Sequence, residues 1–136
     1  NIGVAVGTEQ GLVVPVIADA DRRSLAEVAA AVEGLQEKAR VMRFAGDDLA
    51  GGTFTISNLG MYGIERFTAI VNPPEAAILA VGAIVKTPIV AEDGTVTVRP
   101  LLSLTLSVDH RALDGLQGAQ FLADVKALLE NPALAL

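Results

Sequence analysis

The chain is 136 residues long, 51% apolar and only 4% aromatic, with a net charge of −6, no cysteine and one histidine. That length and composition match one compact domain with an Ala/Val/Leu-rich α/β core, and they exclude a disordered chain. The acidic balance argues against a nucleic-acid partner, and the lack of cysteine removes a disulfide scaffold, a thiolate metal site and a cysteine nucleophile.

No apolar run approaches the ~18 residues of a membrane span, so no membrane is expected as a partner. No signal-peptide pattern opens the chain, which favours the cytoplasm. Asn1 leads straight into strand-like sequence, so the chain reads as the latter part of a longer protein.

Residues 2 to 17 predict a hairpin. Ile2–Val6 and Leu12–Ile17 flank a turn at Thr8-Glu9-Gln10-Gly11, and Pro15, which cannot donate to a ladder, places the second strand at an edge or ends it. A helix follows from Ser24 to about Arg43. Ser24 and Glu27 form a capping box, and Leu25, Val28, Ala29, Val32, Leu35, Ala39 and Met42 recur at helical steps. Lys38, Arg40 and Arg43 in its last turns suit the helix dipole and read as a solvated face. Asp47-Asp48 reads as a turn or short cap, leading through Gly51-Gly52 into a strand, Thr53–Asn58. The segment Leu59–Ile64 is punctuated by Gly60 and Gly63, which allow close backbone approach but lack the spacing and lysine of a phosphate loop.

Asn72-Pro73-Pro74 is a rigid extended turn, and Ala76–Val85, apolar almost without a break, predicts a strand buried on both faces. A hairpin then turns on Glu92-Asp93-Gly94-Thr95, with Val96 and Val98 facing one way. From Leu101 to Val108 the leucines alternate with Ser103, Thr105 and Ser107, the pattern of a sheet with one buried face. The last element is a helix from Asp114 to about Glu130, ended by Asn131-Pro132 and lined by Leu116, Ala119, Leu122, Val125 and Leu129. The whole is mixed α/β, one unit without linker or repeat.

The chemistry concentrates at Val108-Asp109-His110-Arg111-Ala112-Leu113-Asp114-Gly115. His110 is the only side chain whose ordinary pKa lies near neutrality. Strand parity puts it on the apolar side with the leucines, where burial would favour the neutral, proton-accepting imidazole. Asp114 reads as the N-cap of the helix that follows. The residues by themselves leave two readings of His110 open, a general base and a satisfied structural histidine. Ser57, with Thr53 and Thr55 on the polar face of a strand, is by itself an ordinary strand serine.

Three segments in order carry a family resemblance across the whole chain. Asp-His-Arg-x-x-Asp-Gly at 109–115 resembles the active-site motif of the dihydrolipoamide acyltransferase (E2) branch of a superfamily that also holds chloramphenicol acetyltransferases and peptide-synthetase condensation domains. Phe54-Thr55-Ile56-Ser57-Asn58-Leu59-Gly60 and Asn72–Gly82 resemble two further segments of the same catalytic domain. The resemblance implies a chloramphenicol-acetyltransferase-like mixed sheet flanked by helices, with residues 1–136 as the later part of a single catalytic domain. The earlier part of that domain, an arginine partner for the motif aspartate, and lipoyl and subunit-binding modules are expected upstream.

The implied reaction moves an acyl group between a dihydrolipoyl arm, carried on an upstream module, and coenzyme A, with no metal. Matching the motifs residue by residue makes His110 the general base, Asp114 its structural and electrostatic supporter, and Ser57 a donor to the oxyanion; Arg111 receives no role. Ser57–Ile64 looks most like pyruvate-type enzymes, so acetyl is favoured over succinyl or branched acyl groups. The resemblance also implies a homotrimer with active sites between subunits, assembling into a larger core and reaching the E1 and E3 components through upstream modules. It places the protein in the bacterial cytoplasm, or in the mitochondrial matrix if eukaryotic. The alternatives are an inert structural core paralogue, against which His110 counts, and a small-molecule acetyltransferase, against which Asp109 counts. A metal hydrolase using Asp109, His110 and Asp114 would need three groups within six residues to converge on one ion.

Overall fold

The computed structural model describes residues 1–134. β1 (Ile2–Thr8) turns back into β2 (Gly11–Val13), with the Thr8 hydroxyl donating to the Gly11 carbonyl at 2.7 Å. The return strand breaks at Val14-Pro15 and resumes as β3 (Val16–Ile17), pairing Ile17 with Ile2. Pro15 has no N–H to give, but its carbonyl accepts from the Val4 N–H at 2.8 Å, so the break costs β1 no partner there.

α1 (Leu25–Arg40) starts on the expected capping box, with Ser24 and Glu27 satisfying each other's backbone N–H groups. It ends three residues before Arg43, because Met42 takes a left-handed conformation (φ 51°) and turns the chain away. Only Leu35 and Ala39 of the predicted stripe are buried, and Leu25 stays exposed. Lys38 pairs with Asp48 at 2.6 Å, and the other Asp48 oxygen accepts from the Ala45 N–H, so the second of the adjacent aspartates is a cap.

β4 (Phe54–Asn58) runs parallel to β1, β5 (Ala77–Val81) parallel to β4, and β8 (Leu104–Val108) antiparallel to β5. The strand order is β2-β1-β4-β5-β8, with β3 also on β1, a mixed sheet as expected. β6 (Val85–Val90) and β7 (Val96–Leu101) form a separate two-stranded hairpin, from which Val96 and Val98 project on one exposed face.

The predicted strand Ala76–Val85 is buried where it lies in the sheet but stops at Val81. There Leu59 donates to the Val81 carbonyl, Gly82 to Ser103 and Ala83 to Ile64, so backbone crosses the strand end on both sides. A Cβ on Gly82 would run into the Glu65 carbonyl, and one on Gly60 would lie 2.8 Å from the Gly82 oxygen. The chain therefore leaves the sheet, and Val85 belongs to the hairpin.

Register assigns the two faces. Ile56, Leu79 and Leu106 lie in one row, with Ala77 and Val108 in the next row on the same side. α2 (Gly115–Glu130) covers this side: Gly118 packs over Leu106 and Val108, and the Phe121 ring meets Phe54 at 5.6 Å. The buried stripe of α2 is centred on Gly118, with Leu122 and Val125 half-buried; Leu116 and Leu129 remain exposed. A helix without a Cβ at the crossing comes close to the sheet, and that moves the contact off the predicted line. The opposite side carries Thr55, Ile78 and Ser107 in one row and Ser57, Ala80 and Thr105 in the next. β8 is thus half-buried on both faces rather than buried on one, and the Ser107 hydroxyl is enclosed without a partner among the described residues.

Gly82→Ala should cost about 1–3 kcal/mol through backbone displacement. Gly7→Ala, where nothing lies within 4 Å of the added carbon, should be nearly neutral. Thermal melts of the two variants, measured in the full-length protein, check the contrast.

Candidate active site

His110 is placed by the end of β8. The pairing of β8 with β5 continues one residue past Val108, where the Asp109 N–H donates to the Ala76 carbonyl at 2.8 Å. A turn then closes on Asp109, whose carbonyl accepts from Ala112 and Leu113. Its carboxylate accepts from the Arg111 backbone N–H at 3.0 Å and grips the Arg111 guanidinium, with Nη2 at 2.7 Å. The Arg111 hydrogen bonds hold the Asp109 carboxyl well below the usual carboxylate range, at about 2, and the same pair raises Arg111. Arg111, left without a role by sequence, is therefore the clamp of this turn, although its own side chain is 91% exposed.

The turn corrects the expected burial of His110. Strand alternation ends at Val108, and the Asp109 turn carries His110 outward, so the imidazole is exposed in this chain. It opens on a cleft of about 580 Å³ lined by Val71, Pro73, Pro74, Glu75 and Val108–Arg111. Asp114 caps α2: its carboxylate accepts from the Gln117 N–H at 2.8 Å, and the Gln117 side chain accepts from the Asp114 N–H in return. Asp109 and Asp114 are thus both engaged locally, and no metal-binding cluster forms among the described residues.

Ser57 is elsewhere. It registers with Ala80 on β5, whereas Val108 registers with Ala77, two residues short of His110. Five residues along the strands and two strand spacings across put Ser57 and His110 on the order of 15–20 Å apart within one chain. They also point to opposite ends of β5. The structure brings His110 and Asp114 onto one turn and leaves Ser57 away from both.

Sequence reasoning passed over Glu75. It is only 7% exposed, and one carboxylate oxygen accepts from the Thr55 hydroxyl at 2.6 Å; Thr55 itself is fully buried. Gly3 and Gly52 make room for this pair: a Cβ on Gly52 would lie 2.6 Å from the other Glu75 oxygen. The available signal was an acid placed directly between a Pro-Pro turn and an apolar strand, a costly position for a charge without a reason.

The model of the 2-oxoacid dehydrogenases acyltransferase catalytic domain matches residues 1–136. The chain belongs to this acyltransferase family. It is 49% identical, over 97% of its length, to the dihydrolipoyllysine-residue succinyltransferase component of the 2-oxoglutarate dehydrogenase complex of Rickettsia typhi. It is 46% identical, over its full length, to the acetyltransferase component of the pyruvate dehydrogenase complex of Rickettsia bellii. It spans 33% and 32% of those two proteins. Among solved structures, the dihydrolipoamide acetyltransferase of Azotobacter vinelandii superposes with a TM-score of 0.92 at 43% identity, covering 99% of this chain and 56% of that one. The acyltransferase fold expected from the motifs is therefore the fold observed.

Two tests address the acyltransferase turn. Asp114→Ala should cost about 1 kcal/mol of stability through the lost cap, and Asp114→Asn, which keeps an acceptor for Gln117, much less. Because Asp109 is depressed, its ion pair stabilises fully above the ordinary aspartate range and loses that contribution as pH falls through about 2. Arg111→Gln should therefore lower the melting temperature at pH 7, by an amount that shrinks steadily as the pH is brought from 5 towards 2.

Proposed function

We propose that this chain is the later part of a catalytic domain that transfers an acetyl group between a dihydrolipoyl arm and coenzyme A, at an active site shared by two copies of the chain. The observation that carries the reading is the separation of Ser57 from His110: a shared reaction centre requires His110 of one copy and Ser57 of another. The Azotobacter enzyme supports the residue choice, since its mechanism was investigated through a serine, a histidine and an asparagine, the last two four residues apart. His110 and Asp114 have that spacing, with aspartate in place of asparagine. Another structural relative, 42% identical, is the cubic core of a pyruvate dehydrogenase multienzyme complex, which supports assembly of this chain into a multi-subunit core; the trimer and the E1 and E3 partners come from the family resemblance alone. Exposed apolar side chains agree with extensive cover by other copies: Met61, Tyr62 and Ile70 after β4, Val96 and Val98 on the hairpin.

In this mechanism His110 removes the proton from the attacking thiol, and the thiolate adds to the thioester carbonyl. An ordinary thiol near 8.5 and imidazole near 6.5 make that transfer uphill by only about 2.7 kcal/mol. The tetrahedral intermediate places its negative charge on oxygen, where the Ser57 hydroxyl of the second copy donates. Collapse expels the other thiolate, which takes back the proton from the imidazolium. Asp114 and the Asp109–Arg111 clamp hold the turn that presents His110.

His110→Ala should lower kcat about 10²- to 10⁴-fold and Ser57→Ala about 10²- to 10³-fold, both with intact assembly. The decisive experiment mixes them. Full-length subunits carrying one substitution each, co-assembled, should regain activity well above either parent, because some sites then contain both native residues. Mixed assemblies no more active than the parents would overturn the shared site. Succinyl transfer is the competing specificity, favoured by the Rickettsia typhi relative. Rates with acetyl-, succinyl- and isobutyryl-coenzyme A decide between them.

A further inference from the structure

Ser57 is not braced by any side chain of its own copy. Of the β4 side chains, Thr55 and Asn58 make hydrogen bonds, and the half-buried Ser57 makes none among the described residues. In register it lies between Ala5 on β1 and Ala80 on β5, each with a single side-chain carbon. The place of its hydroxyl is therefore set by the β4 backbone.

That backbone is held unevenly. Up to Ser57, β4 is flanked by both β1 and β5, and the pairing with β1 ends at Ala5–Ser57. Beyond it only β5 remains, through Asn58 with Val81 and the Leu59 N–H on the Val81 carbonyl at 3.1 Å. A strand end held on one edge opens more readily than one held on two. Asn58 supplies the missing closure. Its Oδ1 accepts from the Gly60 N–H at 2.8 Å, a side-chain turn in place of a backbone one. The chain then winds through one tight turn, with the Tyr62 N–H donating to the Leu59 carbonyl at 3.0 Å. On its other side Gly60 is stopped by backbone: a Cβ there would lie 2.8 Å from the Gly82 oxygen and 3.1 Å from the Ala83 Cα. Gly82 in turn is backed by the Glu65 carbonyl. A displacement of this turn is therefore passed back over two or three residues to Ser57.

We propose that Asn58 is a positioning residue for Ser57: its side-chain turn onto Gly60 fixes the end of β4 and with it the hydroxyl that meets the oxyanion. The inference rests on Ser57 being that donor. Asn58 does not share the oxyanion, because strand alternation puts it on the α2 side of the sheet and Ser57 on the other. A donor gives its full effect only if it is in place before charge develops. A displaced hydroxyl thus loses transition-state stabilisation while substrate binding is kept.

The test is a double-mutant cycle in the assembled full-length enzyme, read as kcat and KM for acetyl transfer between coenzyme A and dihydrolipoamide. Asn58→Ala should lower kcat about 10- to 100-fold, the scale of a misplacement by about 1 Å, and leave KM for both thiol substrates within about twofold. The same change in a Ser57→Ala background should alter kcat by no more than about twofold, because the group it positions is gone. Asn58→Asp keeps the acceptor and should recover most of the lost rate. Equal losses in the two backgrounds mark a merely structural residue and overturn the proposal. A kcat for Asn58→Ala within about twofold of wild type, or an aspartate that restores nothing, overturns it as well. Should Asn58→Ala fail to assemble, Asn58→Ser, whose hydroxyl closes the same turn more weakly, carries the cycle. A smaller loss is then expected, again confined to the background with native Ser57, and an equal loss in both or none in either overturns the proposal. Ser57→Ala by itself separates the two levels. If it keeps wild-type kcat, the oxyanion reading is wrong; if it is about 10²- to 10³-fold slower while Asn58→Ala is unchanged, only the role of Asn58 fails.

Discussion

The pairing of β5 between β4 and β8 is the constraint on which the rest of this molecule depends. The antiparallel side, Ala77 with Val108 and then the Asp109 N–H on Ala76, brings the Pro73-Pro74-Glu75 segment against the turn carrying His110 and so makes the cleft. The parallel side, Ser57 with Ala80, sends Ser57 towards the other end of the same strand. One strand of five residues therefore sets the two chemical groups apart, and a reaction that needs both has to recruit them from different copies.

The same strand explains why the sheet is not uniformly apolar. One side is sealed by α2 through the Gly118 crossing and the Phe54–Phe121 contact, in the manner of any α/β layer. The other side carries hydroxyls, and its buried member Thr55 binds a carboxylate that enters from outside the sheet. The Thr55 hydrogen bond satisfies that enclosed carboxylate and ties the Pro-Pro segment to β4, whereas the enclosed Ser107 hydroxyl on the same side has no partner among the described residues. A short hydrogen bond at 2.6 Å thus adds to the β4–β5 ladder in joining Ser57's strand to the wall of the His110 cleft.

At the turn itself, rigidity comes from local pairs. Asp109 and Arg111 are two residues apart, and Asp114 and Gln117 are three apart, so each closes its ring almost without loop entropy. The imidazole between them is free of both and remains exposed to the cleft.

Much of this was legible in the sequence because it is local. The capping box at Ser24, the N-cap at Asp114, the turn at Thr8–Gly11, the break at Pro15 and the hairpin at Asp93-Gly94 are encoded within a few residues, and each forms where expected. The three motifs identified the fold and the acyltransferase family for the same reason: they are short strings whose order survives without coordinates. What only the tertiary structure decided is non-local. Parity along Leu102–Val108 could not foresee that the Asp109 turn rotates His110 out of the alternation. Helical periodicity could not show that Gly118 would seat α2 or that Leu116 and Leu129 would be left uncovered. A run of apolar residues did not reveal that Gly82 meets the Glu65 backbone and ends β5. The distance from Ser57 to His110 and the burial of Glu75 against Thr55 depend on strand register across 20 or more residues of chain, and register is an agreement between segments that neither segment contains alone.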